Sequence, residues 1–374
     1  MKFIKLAIPL LSALVCTHGQ ATAGVVLGSE LNNFSIFSGT YVSTGDGAKA
    51  YGNVLASTYG TTGANSTIFG NFQSGDVGTA GAYAKVFGNF QSFLDGTTGA
   101  NSTINGNFQA GTTGTTGANA TINGNFLSGA AGTTGANSII TGSFKAGGVV
   151  AQGAGATIGG PVGIPTLTDT TSMQSAMTSK MALVKGQVVA AQSAMTSMGT
   201  GTALAATMTV DTIFNAGVYS AASWSTTAGT TLTLDGQNQA DQTWIFNITD
   251  ILSTGASTKI ELINAGANSH VFWNTGGYAS LGASSTFLGE IFATTYISVG
   301  ADAYQKNLLG SACGGLFSAT SYVSVGAGAQ IGSGGCSAST SITSSVPEPE
   351  TYSLLLAGLA LLTVFKRRHA AKAA

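Results

Sequence analysis

Residues 97–108 read Thr97-Thr98-Gly99-Ala100-Asn101-Ser102-Thr103-Ile104-Asn105-Gly106-Asn107-Phe108, and a near copy starts at Thr115, 18 positions on. Outward from this stretch, Gly-Asn-Phe recurs at Gly70, Gly88, Gly106 and Gly124 and continues as Gly142-Ser143-Phe144. Gly52-Asn53-Val54 and Gly160-Pro161-Val162 bracket the series. A second series keeps the same step through Gly45, Gly63, Gly81, Gly99, Gly117, Gly135 and Gly153. Seven units fit between Phe34 and Gly159. A fixed period of this length marks a repeat architecture, and it is too short for a helix-turn-helix unit.

Inside the unit, Ile104, Gly106, Phe108 and Ala110 alternate with Thr103, Asn105, Asn107 and Gln109. Period two predicts a strand with one buried face. Gly111, Gly114 and Gly117 are expected to supply positive φ at corners. Such a unit closes a roughly triangular coil, and stacked coils repeat at about 4.8 Å. Phe72, Phe90, Phe108, Phe126 and Phe144 then form one internal column. Ile68, Val86, Ile104, Ile122, Ile140 and Ile158 form another. The expected fold is an all-β solenoid in which each coil is stabilised by its neighbours.

Composition agrees. Of 374 residues, 54 are Gly, 50 Thr and 39 Ser, and charged residues make up 7%. Mean hydropathy of +0.30 excludes a charge-swollen disordered chain. The lack of a G-X-Y period excludes collagen. With so few charges the chain has little Lys and Arg to neutralise phosphate, which argues against nucleic acid as a partner.

From Thr171 to Met198 the period changes. Met173, Met177, Met181, Val184, Val188, Ala191, Met195 and Met198 fall at helical spacing. Thr171 with Gln174 suggests a capping box and Gly199 a C-cap. The stripe is expected to pack along the solenoid flank; a Met-rich partner surface is the alternative. Strand signals return after it, with Gly282-Ala283 and Gly300-Ala301 again 18 apart. Gly326-Ala327 follows 26 later, so an insert of eight residues is placed around residues 306–315.

Both ends read as addresses. Lys2, Lys5, an apolar run and Ala21-Thr22-Ala23 predict a secretory signal over residues 1–23. At the other end, Pro347-Glu348-Pro349 precedes an apolar run from Tyr352 to Phe365, then Lys366-Arg367-Arg368. This tail resembles the PEP-CTERM sorting signal of Gram-negative bacteria. The resemblance implies export, transient anchoring in the inner membrane, tail removal by an exosortase-type enzyme, and a cell-surface or extracellular destination alongside exopolysaccharide systems. Between residues 24 and 346 only Cys313 and Cys336 remain as cysteines. In an oxidising compartment one disulfide is their simplest arrangement, with free thiols the alternative.

The second half carries a family pattern. Ala240-Asp241-Gln242-Thr243-Trp244-Ile245-Phe246-Asn247-Ile248 resembles the family's A-x-x-x-(hydrophobic)-I-F-x-I segment. Glu261-Leu262-Ile263-Asn264-Ala265-Gly266-Ala267 is similar to its L-I-N-G-A segment. Val271-Phe272-Trp273 and Thr286-Phe287-Leu288-Gly289-Glu290-Ile291-Phe292-Ala293 follow in order. Together they resemble the ice-binding-protein-like family long labelled DUF3494. The resemblance implies a right-handed, discontinuous β-helix with one long α-helix along its side. The expected organisation is a signal peptide (1–23), an N-terminal array (24–165), a helix (166–200), a C-terminal β-helix (201–340) and a sorting tail (341–374). Whether array and C-terminal half form one stack stays open.

Adsorption to ice needs a flat, rigid, weakly hydrated face, and threonine supplies a methyl beside a hydroxyl. Many members of the resembled family carry T-(A/G)-x-(T/N) on one face. That pattern selects Thr62 and Asn65, Thr98 and Asn101, Thr116 and Asn119, and Thr134 and Asn137, the alternative being that Thr-Gly-Ala-Asn is simply a good corner. A second candidate face holds Thr103, Asn105, Asn107, Thr121, Asn123 and Asn125. Catalysis is not expected. Asp76 and Asp95 fall in different repeat phases, no arginine precedes the tail, and His270 lacks a Ser/Asp constellation. No cofactor or metal is implied. Two readings follow: an exported protein that binds ice or ordered water, or a structural, adhesive component of an exopolysaccharide matrix.

Overall fold

In the quoted repeat the backbone forms three short strands, Gly96–Thr98, Thr103–Ile104 and Phe108–Ala110. The computed structural model describes residues 27–165, 167–266, 268–306 and 315–333. Each strand of a coil enters a different parallel sheet, and the three sheets hold 14, 13 and 13 strands. We name them A (containing Phe108–Ala110), B (Gly96–Thr98) and C (Thr103–Ile104). Register follows the repeat: Phe90 pairs Phe108, Gly96 pairs Gly114, and Ile104 pairs Ile122.

Two local expectations change. The alternation over residues 103–110 is broken by a corner at residues 105–107, so Ile104 and Phe108 belong to different strands. Positive φ is not supplied by Gly111, Gly114 or Gly117. It falls on Asn65, Asn101, Asn119 and Asn137, at 54 to 57°. Asparagine tolerates this left-handed region better than most residues.

The core is columnar. Phe72, Phe90, Phe108, Phe126 and Phe144 are fully buried. The first four stack with ring centroids 5.2, 5.1 and 4.7 Å apart. The inward glycines of sheet B make room for these rings. A Cβ built on Gly96 would lie 2.7 Å from Phe108 Cζ. Gly60, Gly78, Gly114 and Gly132 meet Phe72, Phe90, Phe126 and Phe144 in the same way. At both ends of the array this pair becomes Val42 with Val54, and Val150 with Val162.

The chain path resolves the order of the two halves. The array stacks away from the coil that starts at Phe34–Ser38. The helix, Leu167–Ser197, then returns along the outside of sheet A. Its 31 residues span about 46 Å at 1.5 Å each. That matches ten coil steps of about 4.8 Å. The second half starts at Thr202–Ala203 and stacks back until Leu316–Ser318, Val323–Val325 and Gln330–Ser333 pair with Phe34–Ser38, Val42–Thr44 and Lys49–Ala50. Array and second half are therefore one continuous solenoid.

The helical stripe packs as expected. Val184, Val188, Ala191 and Met195 are buried against Phe37, Leu55, Ile245, Phe272, Phe292 and Phe317 on the outer side of sheet A. Burying each such valine contributes roughly 1.5–3 kcal/mol. The capping box is not formed. The helix already runs from Leu167, so Thr171 is internal, and the Gln174 amide donates to the Phe93 carbonyl at 2.9 Å. Gly199 takes φ +88°, as a C-cap requires. Residues 1–23, Cys313, Cys336, Pro347, Glu348 and Pro349 lie outside the described residues.

Candidate functional site

Sheet A is covered by the helix, so two outer faces remain. On sheet B one hydroxyl-bearing position of nearly every strand points outward. The pairings link Thr207, Ser225, Ser253, Ser280 and Ser298. They continue through Ser324, Ser43, Thr61 and Thr79. They end with Thr97, Thr115, Thr133 and finally Ala151. Twelve successive coils thus place a hydroxyl in one column, and none of these side chains is buried. The column runs unbroken across the junction between the two halves. Rows lie about 4.8 Å apart, and the next outward position on each strand lies about 6.7 Å away.

That neighbouring position carries a second column. Tyr278, Tyr296, Tyr322 and Tyr41 stack there at 4.6, 4.9 and 4.8 Å, with interplanar angles of 7 to 10°. In the array it passes through Tyr59, Val77, Asp95, Thr113 and Ala131. Asp95 is the carboxylate of this column. The Thr112 hydroxyl donates to it at 2.5 Å and the Thr113 N–H at 3.0 Å. The Thr112 bond chiefly holds its pKa below the usual value.

The threonines selected from the sequence lie one residue away from this column. Thr62, Thr98, Thr116 and Thr134 are buried, with 6, 1, 2 and 2% exposure. Their hydroxyls accept the N–H groups of Gly81, Gly117, Gly135 and Gly153 in the next coil, at 3.0 to 3.4 Å. They act as internal brackets between coils, and their side chains do not reach a surface. Asn65, Asn101, Asn119 and Asn137 are the left-handed corners beside them. The signal for the outward phase is in the second half. There Val323-Ser324-Val325 and Ile297-Ser298-Val299 alternate apolar, hydroxyl, apolar. Their register continues to Thr97, which precedes Thr98.

The second candidate set does not form one face. Thr103 and Thr121 point outward on sheet C between Lys85 and Ile139. Asn105 and Asn123 are exposed at the following corner, where Asn123 Nδ2 donates to Asn105 Oδ1 at 2.8 Å. Asn107 and Asn125 belong to a ladder that bonds backbone. The N–H groups of Asn71, Asn89, Asn107, Asn125 and Ser143 each donate to the asparagine Oδ1 one coil back, at 2.8 to 2.9 Å. Sheet C also carries Lys49, Lys85 and Lys259, so its outer face is charged where that of sheet B is hydroxyl-lined.

His270 stacks on Phe272 at 5.8 Å, and burial lowers its pKa. Among the described residues no group of His, Cys, Asp or Glu could hold a metal ion.

Comparison with known proteins gives the family. A family model described as Ice-binding-like matches residues 62–329. A PEP-CTERM protein-sorting motif matches residues 345–368. Ice-binding protein 1 of Shewanella frigidimarina is 37% identical over 84 residues, which is 22% of this chain and 9% of that protein. The match thus spans about a tenth of that relative's length. Two solved structures are similar over 82% of this chain. One is the DUF3494 domain of the Shewanella protein, with 15% identity, 96% of that chain covered and a TM-score of 0.43. The other is an ice-binding protein from the ascomycete Antarctomyces psychrotrophicus, with 17% identity, 97% covered and a TM-score of 0.43. With its family model matched over most of its length, the chain belongs to the Ice-binding-like family.

Proposed function

We propose that this is an exported protein that adsorbs to ice through the outer face of sheet B. The observation that carries the reading is the unbroken hydroxyl column from Thr207 to Thr133. It lies on a face left open by the helix and lacking the lysines of sheet C. A parallel sheet repeats each hydroxyl at a fixed spacing, and stacked coils keep it rigid. The methyl groups of Thr61, Thr79, Thr97, Thr115 and Thr133 weaken hydration between the hydroxyls. Ordered water can then be held in register with a crystal plane. The array half, where the column is threonine, is the stronger part of the face. The sorting motif supports export, with an exosortase-type enzyme as processing partner and the inner membrane as a transient anchor.

Thermal hysteresis and ice-recrystallisation inhibition test this reading. The expected result is shaped ice crystals and halted recrystallisation. Freezing behaviour indistinguishable from that of an inert protein, with binding to cell-surface polysaccharide, would replace it with the matrix reading.

A further inference from the structure

Among the described residues the solenoid has two open ends. At one, Val150–Ala151, Thr157–Ile158 and Val162–Gly163 are the outermost strands of all three sheets. At the other, Thr202–Ala203, Thr207–Met208 and Thr212–Asn215 hold that place. Gly132, Thr134, Asn137 and Phe144 donate their N–H groups forward to the last array coil. The equivalent positions of that last coil, such as Val150 and Val162, have no further coil to receive theirs. The edge is also apolar: Val149 is 67%, Val162 46% and Ile164 74% exposed. At the opposite end Val210 is 67% and Ile213 65% exposed.

Exposed edges are usually blunted by charge, and solenoid ends by polar capping repeats. Neither device is present among the described residues. Residues 146–166 contain no charged side chain, and residues 199–217 contain only Asp211. Pro161 does not blunt the edge. The N–H at the equivalent Ser143 points back to Asn125, so the missing donor falls on the inner side.

What fits such an end is another coil, and the molecule already contains that contact. The first array coil stacks on the last coil of the second half, in parallel register in all three sheets, across about 280 positions of sequence. Coil-on-coil contact in this chain therefore needs no covalent link. The two open ends share a step of 18 in sheet B, where Thr133 pairs Ala151 and Thr207 pairs Ser225. In sheets A and C the array end also steps by 18, and the opposite end steps by 17 and 20.

We propose that the chain associates head to tail with second copies of itself, the Val150–Gly163 coil of one meeting the Thr202–Asn215 coil of the next. Only this orientation continues parallel pairing. Two array ends facing each other would bring strands antiparallel and set sheet B against sheet C. The contact is heterologous and does not close, so it yields short filaments. Its area is one coil cross-section, which makes it weak and concentration-dependent. Each added copy would carry the column on from Ala151 to Thr207. The contact does not depend on what that column binds.

Sedimentation velocity of the full chain tests this, in mild detergent that keeps the apolar C-terminal run dispersed. The wild type should show a concentration-dependent series of one, two and more chains. V149K/I164K at the array end and V210K/I213K at the other end should each sediment as single chains. Their equimolar mixture should form two-chain species and nothing larger. These side chains are exposed, so folding should survive, and I164K and I213K alone repeat the test if a double variant misfolds. A wild type that stays a single chain at every concentration would overturn the proposal. So would self-association of V210K/I213K alone, which would mean contact between array ends, or a mixture that stays single.

Discussion

Gly114 and Phe126 fill one volume between them: a Cβ on Gly114 would lie 2.5 Å from Phe126 Cζ. The same pair recurs from Gly60 with Phe72 to Gly132 with Phe144, and at both ends of the array two valines replace it. Gly114→Val alone should overpack the coil and cost about 1–3 kcal/mol. Phe126→Val alone should cost a few kcal/mol through the cavity left. The double variant rebuilds the Val42 and Val54 arrangement and should recover about 1–3 kcal/mol of the summed loss. Chemical denaturation of the four proteins measures that coupling.

The asparagine ladder predicts a chemically specific loss. Asn107 Oδ1 accepts the N–H of Asn125, and Asn89 Oδ1 accepts that of Asn107. Asn107→Ala removes the acceptor and should cost about 1 kcal/mol. Asn107→Asp keeps an acceptor oxygen and should cost less. Thermal melts of the two variants at neutral pH distinguish these outcomes.

Glu290 predicts an inverted pH dependence. Its side chain is buried, its Oε2 has no hydrogen-bond partner among the described residues, and burial raises its pKa to about 8. The unfolded chain ionises near 4.5 while the folded chain stays protonated. Stability from this group is thus full below pH 4.5 and is lost as pH rises to about 8. The loss amounts to roughly 5 kcal/mol at most. Glu290→Gln should flatten the fall, and unfolding measured at pH 5 and pH 8 shows whether it does.

Much of the fold was legible because a strict period leaves few alternatives. Phe108 and Phe126 had to stack once the step was 18, and the methionine-rich stripe had to face one way. The expected helix span of 166–200 starts one residue before the observed Leu167, but the cap was misplaced, because Thr171 and Gln174 imitate a cap that the chain passes through. The threonines that the pattern selected lie one residue from the outward hydroxyl column, and in a strand one residue reverses the face. Thr97 and Thr98 are chemically identical, so composition could not separate them. The apolar neighbours of Ser298 and Ser324 carried the phase. The joining of the two halves was not legible, since no local signal ties Ile36 to Leu316.

Thr98 gives a separate check on that phase. Its hydroxyl accepts the Gly117 N–H inside the solenoid. Thr98→Val should destabilise by about 1–3 kcal/mol through an unpaired buried donor. Ice activity per folded molecule should be unchanged.

The central claim is that sheet B meets ice. The most direct measurement is thermal hysteresis of paired surface variants at equal concentrations of folded protein. Thr97→Tyr with Thr115→Tyr interrupts the column, and Thr103→Tyr with Thr121→Tyr places the same bulk on sheet C. Loss of most of the hysteresis in the first pair, with the second unchanged, is the predicted result. Full activity in the first pair with loss in the second would contradict it.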